Sequence, residues 1–186
     1  MTVETAMRDA SDKMDKAIGV LKDDLAGIRT GRATPALLSR LVVDYYGTQV
    51  PIQQLASFSV PEPRTLVIQP FDKNAISSME KAIMASDLGI TPGNDGAVIR
   101  LSFPPLTEER RKELVKVVHH RGEEARVAVR NIRRHSKEGL ERLEREGGIS
   151  EDDLVRSEKE LQKLTDKHIA AIDEVVAHKD AELKEI

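Results

Sequence analysis

From residue 2 to residue 29 apolar side chains return every seven positions, at Met7, Met14, Leu21 and Ile28. Ala10 and Ala17 stand three residues further on, and Ile18 and Leu25 widen the stripe. Such spacing puts one apolar face on an uninterrupted helix. A second helical pattern fills 107–146, with Leu114, Val118, Ala125, Val129, Ile132, Leu140 and Leu143 as its stripe. Thr107 can cap it, and Glu108 and Glu109 suit the positive end of its dipole. At about 1.5 Å per residue this helix would be roughly 60 Å long. Gly147 and Gly148 end it. Ser150 opens a third helix, with Asp153 in the place of a capping-box acid. Leu154, Leu161, Leu164, Ile172, Val175 and Leu183 supply its apolar face.

Residues 31–104 have a different texture. Gly31 and Pro35 break the helical pattern, and all five aromatics lie here: Tyr45, Tyr46, Phe58, Phe71 and Phe103. Short β-rich runs cover Leu41–Tyr46, Ser57–Val60, Thr65–Gln69 and Ala97–Phe103. Gly47-Thr48 and Gly93-Asn94-Asp95-Gly96 are turn signals. One helix sits among them, with Asp72 as a possible cap, Ile76, Met79, Ile83 and Met84 as its apolar face and Gly89 at its end.

None of the three long helices can bury its stripe alone. The pattern therefore predicts an α+β protein: a three-helix bundle formed by residues 1–30 and 105–186, with a small β/α/β domain, 31–104, inserted. The insertion would enter through Thr30, Gly31 and Arg32 and leave through Phe103, Pro104 and Pro105. Two neighbouring crossings make a two-stranded hinge that permits domain motion. With the three stripes consumed in one bundle, the chain is expected to be a monomer.

Charge changes this picture more than composition does. The net charge of -3 hides a segment, 110–137, with ten basic and three acidic side chains. Positive charge concentrated on one stretch of an acidic chain points to an anionic partner. There is no cysteine, which excludes disulfides and thiol catalysis and suits a reducing cytosol. The opening residues are charged throughout, unlike a signal peptide, and no apolar run is long enough to cross a bilayer, so a cytoplasmic location is expected.

The search for catalytic chemistry finds nothing. His119, His120, His135, His168 and His178 lack metal-ligand spacing, and His119-His120 reads as a solvated pair. His168, near the apolar stripe, reads as a partly buried polar filler. No phosphate-binding loop or nucleophile elbow is present. Neither an enzyme, nor a metal, nor a cofactor is expected. The informative feature is the long helix: at about 100° per residue, Arg126, Arg130, Arg133 and Lys137 project within a sector of about 60°. Lys112 and His119 share the line, Glu123 interrupts it, and the buried stripe lies about a quarter turn away, so these side chains should face solvent. An ordinary solvated face would look much the same. The scarcity of Glu between 125 and 137 favours phosphate binding, for which arginine's planar fork is suited. Without aromatic stacking platforms, the expected mode is recognition of the backbone and shape of structured RNA.

Several segments carry a resemblance. They are Arg29-Thr30-Gly31-Arg32-Ala33-Thr34-Pro35, Asp44-Tyr45-Tyr46-Gly47-Thr48, Gln54-Leu55-Ala56-Ser57, Glu80-Lys81-Ala82-Ile83, Ser86-Asp87-Leu88-Gly89, Pro104 to Lys112, Ala128 to Arg134 and Ile149 to Asp153. In order over nearly the whole chain, they resemble the ribosome recycling factor family. The resemblance implies a bundle with an inserted β/α/β domain and a partner, the 70S ribosome, whose large-subunit ribosomal RNA the bundle meets. It implies that the factor works with the GTPase elongation factor G to split the subunits and release messenger RNA and deacylated transfer RNA. It makes Arg130 and Arg133 the principal RNA contacts, with Arg29, Arg32, Arg110, Arg111, Arg126 and Arg134 as further ones. The competing reading of the residues alone is a non-catalytic helical adaptor or scaffold, which would have no need of an inserted compact module on a hinge.

Overall fold

The computed structural model describes residues 2–28 and 30–185. Among them, three long helices flank a small β-rich segment: α1 (Val3–Ala26), α3 (Glu108–Arg145) and α4 (Glu151–Lys184). The segment between α1 and α3 holds strands β1 (Val42–Tyr45), β2 (Thr48–Pro51), β3 (Ala56–Glu62), β4 (Thr65–Pro70), β5 (Gly93–Asn94) and β6 (Ile99–Ser102). Helix α2 (Ile76–Ala85) lies between β4 and β5. The chain forms two compact units, Met1–Leu25 with Val115–Glu182, and Ala26–Leu114 with Leu183–Ile186.

In the first unit, α1, α3 and α4 bury their apolar stripes together. Ala10, Met14 and Leu21 of α1, Val118, Val129 and Leu140 of α3, and Leu161, Ile172 and Val176 of α4 are all buried. The expected stripes are corrected at their margins: Ile132, Leu143, Leu154, Leu164 and Val175 are half-buried, and Val176 takes a core place that the spacing had given to its neighbour. The helix ends follow local chemistry. Arg110 donates its N–H to Thr107 Oγ1 at 3.1 Å. Gly147, at φ 76, lets the Gly148 N–H reach back to the Leu143 carbonyl at 2.8 Å, and that left-handed turn stops α3. Asp153 donates its N–H to Ser150 Oγ at 3.1 Å while the Ser150 N–H reaches Asp153 Oδ2 at 3.4 Å, the reciprocal pair of a capping box.

In the second unit, β3, β4, β6 and β5 form an antiparallel sheet in that order, and β1 and β2 form a separate hairpin. Leu66 faces Leu101 and Ile68 faces Ile99 across the β4–β6 ladder, all four buried. Ile76, Met79 and Ile83 of α2 join the same core. Two expectations are corrected. Met84 is 66% exposed and lies off the buried face of α2. Asp72 caps a preceding single turn, Lys73–Ala75, by accepting the Asn74 N–H, so α2 starts without a side-chain cap. The unit's core is aliphatic: only Phe103 is fully buried among the aromatics, Tyr45 and Phe58 are half-buried, and Tyr46 and Phe71 stand out in solvent. Strands β2 and β5 are too short and polar to announce themselves and exist through pairing with β1 and β6.

Candidate nucleic-acid interface

Returning every three or four residues, the basic side chains of α3 fall along one line of the helix, but neighbouring elements treat them unequally. Arg126 is the most enclosed, with a side chain only 21% exposed. Its Nε donates to Asp173 Oδ1 of α4 at 2.8 Å, and its Nη1 donates to Glu123 Oε2 at 3.3 Å. This corrects the solvent-facing placement expected for it. Gly122, one turn earlier, has no side chain; a Cβ there would lie 2.6 Å from Val176 Cγ2. Close approach of α4 at that point brings Asp173 onto Arg126.

Arg130 is exposed and donates from Nη1 to Glu123 Oε1 at 3.2 Å, so Glu123 holds two arginines with its two oxygens. Arg133 is half-buried and donates from Nη1 to Gln162 Oε1 of α4 at 3.0 Å. Lys137 lies 3.9 Å from both Glu141 and Glu158. Arg134 is exposed and makes no ion pair among the described residues. Carboxylates are indeed sparse on α3 between 125 and 137, but α4 supplies Asp173 and Glu158 from outside the helix, which a single-helix projection does not contain. Gln162 was absent from the sequence-derived set for the same reason.

The remaining sequence-derived residues lie elsewhere. Arg110 is exposed and donates to Glu113 Oε2 at 2.8 Å. Arg111 is half-buried, and its Nε is enclosed without a hydrogen-bond partner. Arg32 is exposed and lies 3.2 Å from Glu185. Arg29 lies outside the described residues. Of the expected hinge positions, Thr30 is buried, Gly31 has φ 84, and Pro104 and Pro105 are exposed. Phe103 is buried in the core of the second unit and donates its N–H to the Arg64 carbonyl at 2.8 Å, so it is an anchor for β6.

The histidines are structural or surface groups. His119 is not simply solvated: its Nε2 meets Asp180 Oδ2 on α4. His120 pairs with Glu124 on its own helix. His168 is buried, its Nδ1 2.7 Å from the Leu164 carbonyl and its Nε2 2.7 Å from Asp15 Oδ1 of α1. Among the described residues, no group of three or more His, Asp or Glu is arranged to hold a metal, and no helix is long and apolar enough to cross a membrane. The arrangement offers fixed guanidinium groups on one helix face, which is chemistry for holding phosphate rather than for breaking bonds.

The chain is similar to known proteins over nearly its whole length. The family model for ribosome recycling factor matches residues 21–183. The ribosome-recycling factor of Carboxydothermus hydrogenoformans is 56% identical over 184 residues, covering 99% of this chain and all of that protein. That of Acidothermus cellulolyticus is 52% identical over the same span. A solution structure of the ribosome recycling factor superposes with a TM-score of 0.83 at 47% identity, covering all of this chain and 99% of the other. A second structure, of the T. thermophilus ribosome recycling factor with the E. coli elongation factor G on the E. coli post-termination complex, contains a chain matching at a TM-score of 0.72 and 48% identity. Matched from end to end at about half identity and sharing the fold, the chain belongs to the ribosome recycling factor family.

Proposed function

We propose that this protein is a cytoplasmic, non-catalytic translation factor that binds the ribosome after termination. With elongation factor G and GTP it promotes separation of the subunits and release of messenger RNA and deacylated transfer RNA. The carrying observation is the full-length likeness to a ribosome recycling factor chain described, in models, as bound with elongation factor G to the post-termination complex. The bundle segments 1–30 and 105–186 are the part that meets large-subunit ribosomal RNA, and 31–104 is the inserted domain that moves on the crossings near Gly31 and Pro104-Pro105. Support for the RNA face comes from the α3 line, where Arg130 and Arg133 are the principal contacts and Arg134 and Lys137 flank them. Arg126, already held by Asp173 and Glu123, contributes to affinity mainly through the shape of that face.

Purified protein added to post-termination ribosomes with elongation factor G and GTP should release subunits, read by light scattering. Arg133→Ala and Arg130→Ala should each weaken binding to large subunits while stability stays within about half a kcal/mol of wild type. Each lost phosphate contact should reduce the salt dependence of binding by about one unit of slope. Normal binding by Arg133→Ala across a salt series would remove the RNA assignment.

A further inference from the structure

We infer that the RNA face is a groove shared by two helices, in which Gln162 of α4 positions Arg133 for a phosphate of the RNA backbone. The inference rests on the RNA-binding reading above and adds α4 to it. A groove of about 260 Å3 runs between Arg133, Arg134 and Lys137 on α3 and Glu158, Leu161 and Gln162 on α4. Its chemistry differs from the rest of the basic line. Arg126 and Arg130 are met by carboxylates, Asp173 and Glu123, which cancel much of their charge. Arg133 is met by an amide. The Gln162 carbonyl accepts one Arg133 N–H at 3.0 Å, and the Gln162 Nε2 donates to Asp166 Oδ1 at 2.8 Å, which fixes the amide with its oxygen toward the arginine.

A neutral acceptor does what a carboxylate in the same place does not. It restricts the guanidinium to one orientation, lowering the entropy lost when a ligand binds, and it leaves the full positive charge and the other N–H donors for a phosphate. Arg134, exposed and outside any ion pair among the described residues, adds charge at the same place. Lys137 is only loosely held, 3.9 Å from Glu158, and can turn toward an anion. Arg133 and Arg134 therefore present positive charge with no carboxylate pair among the described residues, at the edge of the groove bounded by α4. Gln162 is a positioning residue: it acts through Arg133.

The test is binding of the full-length chain to purified large ribosomal subunits over a salt series, with the melting temperature of each variant. Gln162→Ala should bind about fivefold more weakly, the factor for one ordinary hydrogen bond, with an unchanged salt slope, because no charge is lost. Gln162→Glu should bind more weakly still and lower the slope by about one unit, because Arg133 is then neutralised within the protein. Combined with Arg133→Ala, Gln162→Ala should not weaken binding further. Lys163→Ala, on the same helix but outside the groove and paired with Glu160, should match wild type. Wild-type binding by both Gln162 variants, with Arg133→Ala weakened, would overturn the groove and leave the RNA reading standing. Wild-type binding by Arg133→Ala as well would overturn both. Tighter binding by Gln162→Glu, or a melting temperature several degrees lower for Gln162→Ala, would also overturn the positioning role.

Discussion

At Ser150 a single hydroxyl sets both a helix start and an acid response. The Ser150 hydroxyl, then the Ser150 backbone N–H, holds the Asp153 carboxyl below its ordinary 3.8. A carboxyl whose folded pKa is depressed adds stability above its unfolded value and loses it as pH falls through the folded one. The start of α4 should therefore hold at neutral pH and weaken progressively below pH 3.8. Ser150→Ala should move the Asp153 titration, followed by NMR, up toward that ordinary value and lower stability by about 1 kcal/mol, the cost of a lost N-cap. An unmoved titration would show that the hydroxyl is not the cause. His168 makes a different point at the same scale. Buried on α4 and bonded to Leu164 and Asp15, it ties α4 to α1. His168→Ala should cost about 2 kcal/mol in urea unfolding, through the cavity and the stranded partners. A loss within error would make it the passive filler that its position in the sequence suggested.

At the scale of elements, the contact between α3 and α4 depends on Gly122. Alanine there would gain about 1 kcal/mol of helix propensity. Its methyl, however, would meet Val176 Cγ2 at 2.6 Å, and overpacking of that kind costs about 1–3 kcal/mol. Gly122→Ala should therefore lower stability, and adding Val176→Ala should recover part of the loss. If Gly122→Ala raises the denaturation midpoint, the two helices are not in tight contact at this level. The same approach brings Asp173 onto Arg126, so Gly122→Ala should also free Arg126 toward solvent.

For the whole molecule, the expectation remains a monomer. The exposed valines of the long helices, Val20 on α1, Val117 and Val127 on α3 and Val155 on α4, are spread over three helices, and no two are neighbours along one helix. Sedimentation at micromolar concentration should give a single species of 20.7 kDa; a stable dimer would refute this. The two units have separate cores, one of aliphatic helix stripes and the other around Ile68, Met79 and Ile99. Replacing 32–103 by a short flexible linker should leave a soluble helical product by circular dichroism. An unfolded product would show that the bundle depends on the inserted segment.

The long helices were legible in the sequence because a helix that buries one face must repeat its apolar side chains at the helical period, and Met7, Met14 and Leu21 or Val118, Ala125 and Val129 do so whatever lies opposite. Helix ends were legible at Thr107, Gly147 and Ser150 because capping is chemistry within a few residues. The basic line of α3 was visible for the same reason: 126, 130, 133 and 137 are neighbours on one helix. What lay beyond one element was not. Strands β2 and β5 exist only through their partners, Met84 turns outward because α2 buries the face that carries Ile76, Met79 and Ile83, and Val176 replaces Val175 because of where α3 passes. Glu123 of α3 meets Arg126 and Arg130, but the partners that Arg126, Arg133 and Lys137 find beyond α3 are supplied by α4, through Asp173, Gln162 and Glu158. These residues are between 21 and 47 positions from their partners on α3, and a pairing across two helices leaves no periodic trace in either.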